Sequence, residues 1–129
     1  MELAQTIKTA VATARLTALR TYHQPLQLDV FAGNQPDAGS STTQDSLVTC
    51  TFAPQVGNRS SDTITLVWAE TSYQVLKTGA PKWGRITDST GVWVMDAPVG
   101  QSGTDVFTFD SQLTQGDRVA PQVTTFSES

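Results

Sequence analysis

Trp83-Gly84-Arg85-Ile86-Thr87-Asp88-Ser89-Thr90-Gly91-Val92-Trp93-Val94-Met95 is the stretch on which the fold class turns. Runs rich in β-branched and aromatic residues flank Asp88-Ser89-Thr90-Gly91, whose residue types supply the backbone conformations of a tight turn, so the stretch predicts a β-hairpin. Outward from it, further strands are expected at 45–52, 63–68, 82–88, 92–97, 106–109 and 118–126, separated by clusters of Gly, Pro, Asn, Asp and Ser. A first strand precedes them, where Leu26, Leu28 and Val30 alternate with Gln27, Asp29 and Phe31 until Gly33-Asn34-Gln35-Pro36 breaks the run. Strands at this spacing predict a mainly β fold, an antiparallel β-sandwich or a jelly-roll-like barrel.

The N-terminal end follows a different period. Residues 2–22 contain no Gly or Pro, and Leu3, Ile7, Val11, Ala14 and Ala18 recur at helical spacing, with Leu16 and Leu19 widening the stripe. One amphipathic helix of about five turns is expected. It should end at His23-Gln24-Pro25, because proline pushes the residue before it out of the α region and cannot continue the ladder. The chain therefore divides into a helical docking arm, 1–24, and a β-domain, 25–129. The helix should dock against the β-domain or a partner through Leu3, Ile7, Val11 and Ala14. Two longer polar stretches, 34–44 and 55–62, are expected to be mobile surface loops.

At 129 residues the chain suits one hydrophobic core. Eight Lys and Arg against twelve Asp and Glu, with no basic run, argue against nucleic acid as a direct partner. No apolar run approaches the roughly 20 residues of a membrane span, and Met1-Glu2-Leu3-Ala4 lacks the order of a signal peptide, so a protein made in a cytoplasm is expected. The lone Cys50 sits among strand residues and reads as a buried, inert thiol.

Chemistry-bearing residues are few. A single histidine, His23, stands at a helix terminus, where an imidazole meets free carbonyls. Asp88, Asp96, Asp105 and Asp110 are the carboxylates that a glycosidase-like pair would draw on, but each borders a turn or strand end. A calcium site on Asp96 and Asp105 lacks the D-x-D-x-D-G spacing. Gly100-Gln101-Ser102-Gly103 lacks the Gly-Lys-Ser/Thr of a phosphate loop, and Asn58-Arg59-Ser60, though a glycosylation triplet, reads as a polar loop. Trp68, Trp83 and Trp93 read as core more readily than as a sugar-stacking platform, whereas Tyr73 falls in a connection and is a candidate contact residue. No catalytic, cofactor or metal residues are assigned, and the protein is expected not to be an enzyme.

Ala12-Thr13-Ala14-Arg15-Leu16-Thr17-Ala18-Leu19, then Leu26-Gln27-Leu28-Asp29-Val30-Phe31-Ala32-Gly33-Asn34-Gln35-Pro36, then Trp83-Gly84-Arg85-Ile86-Thr87-Asp88-Ser89-Thr90-Gly91 follow one another in an order that resembles a family of small tailed-bacteriophage structural proteins. The resemblance continues through Val99-Gly100-Gln101-Ser102-Gly103-Thr104-Asp105 and Pro121-Gln122-Val123-Thr124-Thr125-Phe126, and departs at 63–79, with Trp68, Glu70 and Tyr73. It implies a virion structural protein, such as a capsid decoration or cement subunit or a head-tail accessory. Such a subunit would bind major capsid, neck or tail proteins, self-associate, and carry no cofactor. The other reading is a receptor- or carbohydrate-binding module of a tail tip or fibre, using Tyr73 and exposed tryptophans. Together these place the partner contacts on Leu3, Ile7, Val11, Ala14 and Tyr73.

Overall fold

A computed structural model describes residues 4–100, 107–109, 112–121 and 124–127. One helix, α1 (Gln5–Thr21), is followed by β1 (Gln27–Phe31), β2 (Val48–Ser60), β3 (Thr63–Trp68), β4 (Tyr73–Gln74), β5 (Trp83–Thr87), β6 (Trp93–Gly100), β7 (Phe107–Thr108), β8 (Arg118–Val119) and β9 (Thr124–Ser127). The fold is mainly β with an N-terminal helix. Seven strands form a sheet in the order β7-β6-β5-β1-β2-β3-β9, and β4 pairs with β8 in a separate ribbon. All pairings are antiparallel except β6 with β7.

The sheet curls. Phe107, on the terminal strand β7, lies 6.4 Å from the Phe52 ring of β2 and 6.1 Å from the Trp68 ring of β3, so strands several positions apart in the sheet meet across its concave side. Leu28, Val30, Val48, Cys50, Phe52, Ile64, Leu66, Ile86, Ala97 and Val99 fill that side. The β4–β8 ribbon adds Tyr73 and Val119 to the same core, the segments beside it add Val75 and Leu113, and α1 adds Ala12 and Leu16. Burial pushes the Cys50 thiol up to about 12, with the Asp29 charge adding to the effect, so it stays protonated.

The hairpin forms where expected. Gly91 donates its N–H to the Asp88 carbonyl at 3.1 Å, and Asp88 N–H bonds the Val92 carbonyl at 3.0 Å, closing a three-residue loop. Gly91 completes it at φ 88, a left-handed conformation that a Cβ would penalise.

Four expectations need correction. The stretch 55–62 is no loop, since β2 runs to Ser60 and turns directly into β3 through Ser60↔Thr63; the ladder is made of backbone bonds, and the exposed polar side chains of this arm leave no apolar alternation to announce it. The stretch 118–126 is two strands in different sheets, and Pro121 between them has no N–H to offer a ladder. A strand at Tyr73–Gln74 was not expected. Residues 34–44 do form an irregular surface segment, but one tied to the sheet by side-chain hydrogen bonds. Gln44 Oε1 accepts from Gly33 N–H and the Trp83 indole, Gln44 Nε2 donates to the Asn34 carbonyl, Gly39 N–H donates to Asp96, and Arg85 donates to the Ser40 carbonyl.

Candidate functional site

At about 100° per residue, Ala12, Leu16 and Leu19 share one side of α1, whereas Ile7, Ala14 and Ala18 point roughly the opposite way. The structure seats the first set. Ala12 is 0% and Leu16 4% exposed, and Leu19 packs on the core from its edge. A small residue at position 12 lets the helix axis approach β2 and β3 closely. The expectation that Ile7, Val11 and Ala14 would be the intramolecular docking side is therefore corrected: Ile7 is 50% exposed, Ala14 is exposed and Val11 is half-buried. Leu3 lies outside the described residues.

Tyr73 is not a surface contact residue. It is 5% exposed, its hydroxyl donates to the Thr51 carbonyl at 2.6 Å and accepts from Glu70 N–H at 3.1 Å, and its ring stands edge-on to Trp68. The role of this short strand is to tie the ribbon to β2. A hydrophobic stripe cannot reveal this, because a tyrosine next to polar residues reads equally well as exposed.

The tryptophans divide by environment. Trp83 is fully buried, yet lies on the outer side of the sheet, stacked on Phe31 at 4.5 Å and roofed by the 34–44 segment. Trp93 is 41% exposed, with Gly39 against its ring and its indole N–H on Asp96. Between them Arg85 donates from Nε to Asp96 Oδ1 at 2.7 Å and from Nη2 to Oδ2 at 3.0 Å, and lies 5.3 Å over the Trp83 ring. Burial pushes the Asp96 carboxyl up, but hydrogen bonds from Arg85, Trp93 and Gly39 N–H outweigh it and hold the group below the usual carboxylate range. Arg85 is raised by the same pairing. These bonds occupy Asp96 with holding the outer segment, while Asp105 and Asp110 lie outside the described residues.

Asp88 is buried in the turn. Its Oδ1 accepts from Thr90 N–H, the Thr90 hydroxyl and Val92 N–H. The Thr90 hydroxyl, above all, overcomes the cost of burial and brings the Asp88 carboxyl down to about 2. His23 Nδ1 stands 4.0 Å from Asp88 Oδ2, and the His23 carbonyl accepts from Ser89 N–H, so the histidine links the helix exit to the hairpin.

Two arginines overlooked by motif reading define a further feature. Between Phe52↔Trp68 and Gly57↔Leu66, β2 spends four residues where β3 spends one, a wide bulge that seats Val56 in the core at φ 67. Arg20, in the last turn of α1, reaches this bulge and donates from Nε to the Gln55 carbonyl at 2.9 Å and from Nη2 to the Gly57 carbonyl at 2.7 Å. A Cβ on Gly57 would stand 2.1 Å from the Thr65 carbonyl oxygen, so only glycine fits there. Beside the bulge, a groove of about 270 Å³ opens between α1 and the β2–β3 arm, lined by Thr13, Leu16, Thr17, Arg20, Asn58 and Arg59. A basic residue near a helix C-terminus was the one available signal.

Among the described residues no helix is long and apolar enough to cross a membrane. Compared with protein-family models, curated proteins and solved structures, the chain matches none of them.

Proposed function

We propose that the protein is a structural subunit of a tailed-bacteriophage virion, a capsid decoration or cement subunit or a head-tail accessory, that binds other virion proteins and carries no catalytic centre. One observation supports this reading above the others: α1 spends Ala12, Leu16 and Leu19 on its own core and turns a second apolar stripe, with Ile7 half exposed, away from it. An exposed aliphatic side chain on a helix already held in place suits a groove on a neighbouring subunit. The order of sequence features that resembles phage structural proteins points the same way. Self-association through the same stripe belongs to the proposal, as does residence in the virion. The finer architecture is proposed to be sandwich-like, with the curled sheet as one layer and the β4–β8 ribbon and α1 as the other.

The receptor- or glycan-binding reading is less well supported, because Tyr73 and Trp83 are buried and Trp93 alone of the candidate platform aromatics presents substantial surface. Sedimentation with phage particles stripped of this protein tests the choice. Wild-type protein should pellet with the particles, and a variant carrying Ile7→Asp and Val11→Asp should keep its circular dichroism spectrum yet stay in the supernatant. Failure of the wild type to pellet, together with tight binding to a host surface polysaccharide, would overturn the structural reading.

A further inference from the structure

The groove between α1 and the β2–β3 arm has a composition at odds with the rest of the chain. The protein carries a net charge of −4, yet the groove lining includes Arg20 and Arg59 and no acidic residue. Both guanidinium groups are already oriented. Arg20 is held by two backbone carbonyls through Nε and Nη2, and Arg59 by the Ser61 carbonyl through Nη1 at 2.8 Å. Each keeps donors without a partner among the described residues: Nη1 on Arg20, and Nε and Nη2 on Arg59. An arginine whose fork is fixed by part of its donors loses less rotamer freedom when the remainder meet a ligand. Asn58, Thr13 and Thr17 add neutral polar groups, and Leu16 forms an apolar floor.

We propose that this groove is a carboxylate-binding site. Planar guanidinium donors match the two oxygens of a carboxylate. The site runs along the second half of α1, away from the free N–H groups and positive dipole end that favour phosphate, so a singly charged anion fits it better than a doubly charged one. The carboxylate comes either from a small organic acid or from an acidic side chain of a bound protein, and the inference does not depend on the virion role.

The test follows the Arg Nε–Hε resonances of the ¹⁵N-labelled full chain during separate titrations with acetate, succinate, a hexaglutamate peptide and inorganic phosphate, each against sodium chloride of matched ionic strength. Saturable shifts of Arg20 and Arg59 with the carboxylates, absent with chloride, are expected. Succinate binding more tightly than the peptide identifies a free organic acid, and the reverse order identifies an acidic protein segment. Arg59→Gln, on the exposed arm, should weaken binding about tenfold without shifting the melting temperature, as loss of a charge-assisted bond does. Arg20→Lys, which keeps the charge but not the fork, should weaken it too. Shifts equal to those with chloride, shifts that persist undiminished in Arg59→Gln, or phosphate binding more tightly than every carboxylate would each overturn the proposal.

Discussion

The Asp88 carboxylate shows how one side chain turns a polar tetrapeptide into a fixed hairpin. It binds two backbone N–H groups and a hydroxyl across the turn, and its carboxyl is displaced from the ordinary 3.8 to about 2. The folded protein thus holds this proton less tightly than the unfolded chain does. The stability it contributes is present above the unfolded value and is lost as pH falls from 3.8 through about 2. Asp88→Asn removes that titration, so its urea midpoint, although lower at neutral pH, should fall less steeply than the wild type's across this window. Trp83 and Trp93, both in the hairpin, should respond in opposite ways. Trp83→Ala empties a fully buried stack on Phe31 and should cost about 3–5 kcal/mol, whereas Trp93→Ala should shift a chemical denaturation curve by much less. Equal losses would mean that burial is not what separates the two residues. Both tryptophans were legible as hairpin residues. Which one is covered was not, because the cover comes from residues 34–44, a segment whose composition reads only as loop.

At the scale of elements, α1 carries two apolar stripes on nearly opposite sides, and the spacing rule that finds such stripes is blind to which one meets the sheet. Leu16→Ala should therefore destabilise the fold by about 2–5 kcal/mol, while Ile7→Ala should leave thermal unfolding close to the wild type. If Ile7→Ala proves the more costly, the seating of the helix described above is wrong. The β5–β6 pair shows a second limit. Counting outward from the turn, Thr87 opposes Trp93, and an unbroken ladder would then set Arg85 against Met95. A register shift between Ile86 and Thr87 pairs Ile86 with Met95 and Arg85 with Asp96 instead. One extra residue thus creates the bidentate ion pair that holds the 34–44 segment, and no residue type near it announces the bulge.

On the scale of the whole molecule, the curl of the sheet brings Phe107 from one end against Phe52 and Trp68 near the other. Phe107→Ala should cost about 3–5 kcal/mol and lower the unfolding cooperativity seen by tryptophan fluorescence, because it separates β7 from the strands it closes upon. An unchanged transition would show that the two ends hold their positions without it. The sequence by itself determined the mainly β class, the N-terminal helix with its stop before Pro25, the alternating first strand and the Asp88–Gly91 turn. Each of these depends on interactions within a few residues, which periodicity and turn chemistry report directly. Only the tertiary structure decided which helix side is buried, that polar residues 55–60 continue a strand, that 118–126 splits between ribbon and sheet, and that Arg20 and Arg59 share a groove. Most of those outcomes rest on contacts between residues far apart in the chain, where the partner supplies the hydrogen bonds and the cover that local sequence cannot encode; the 55–60 strand instead pairs with its hairpin neighbour through backbone bonds that its polar side chains do not announce.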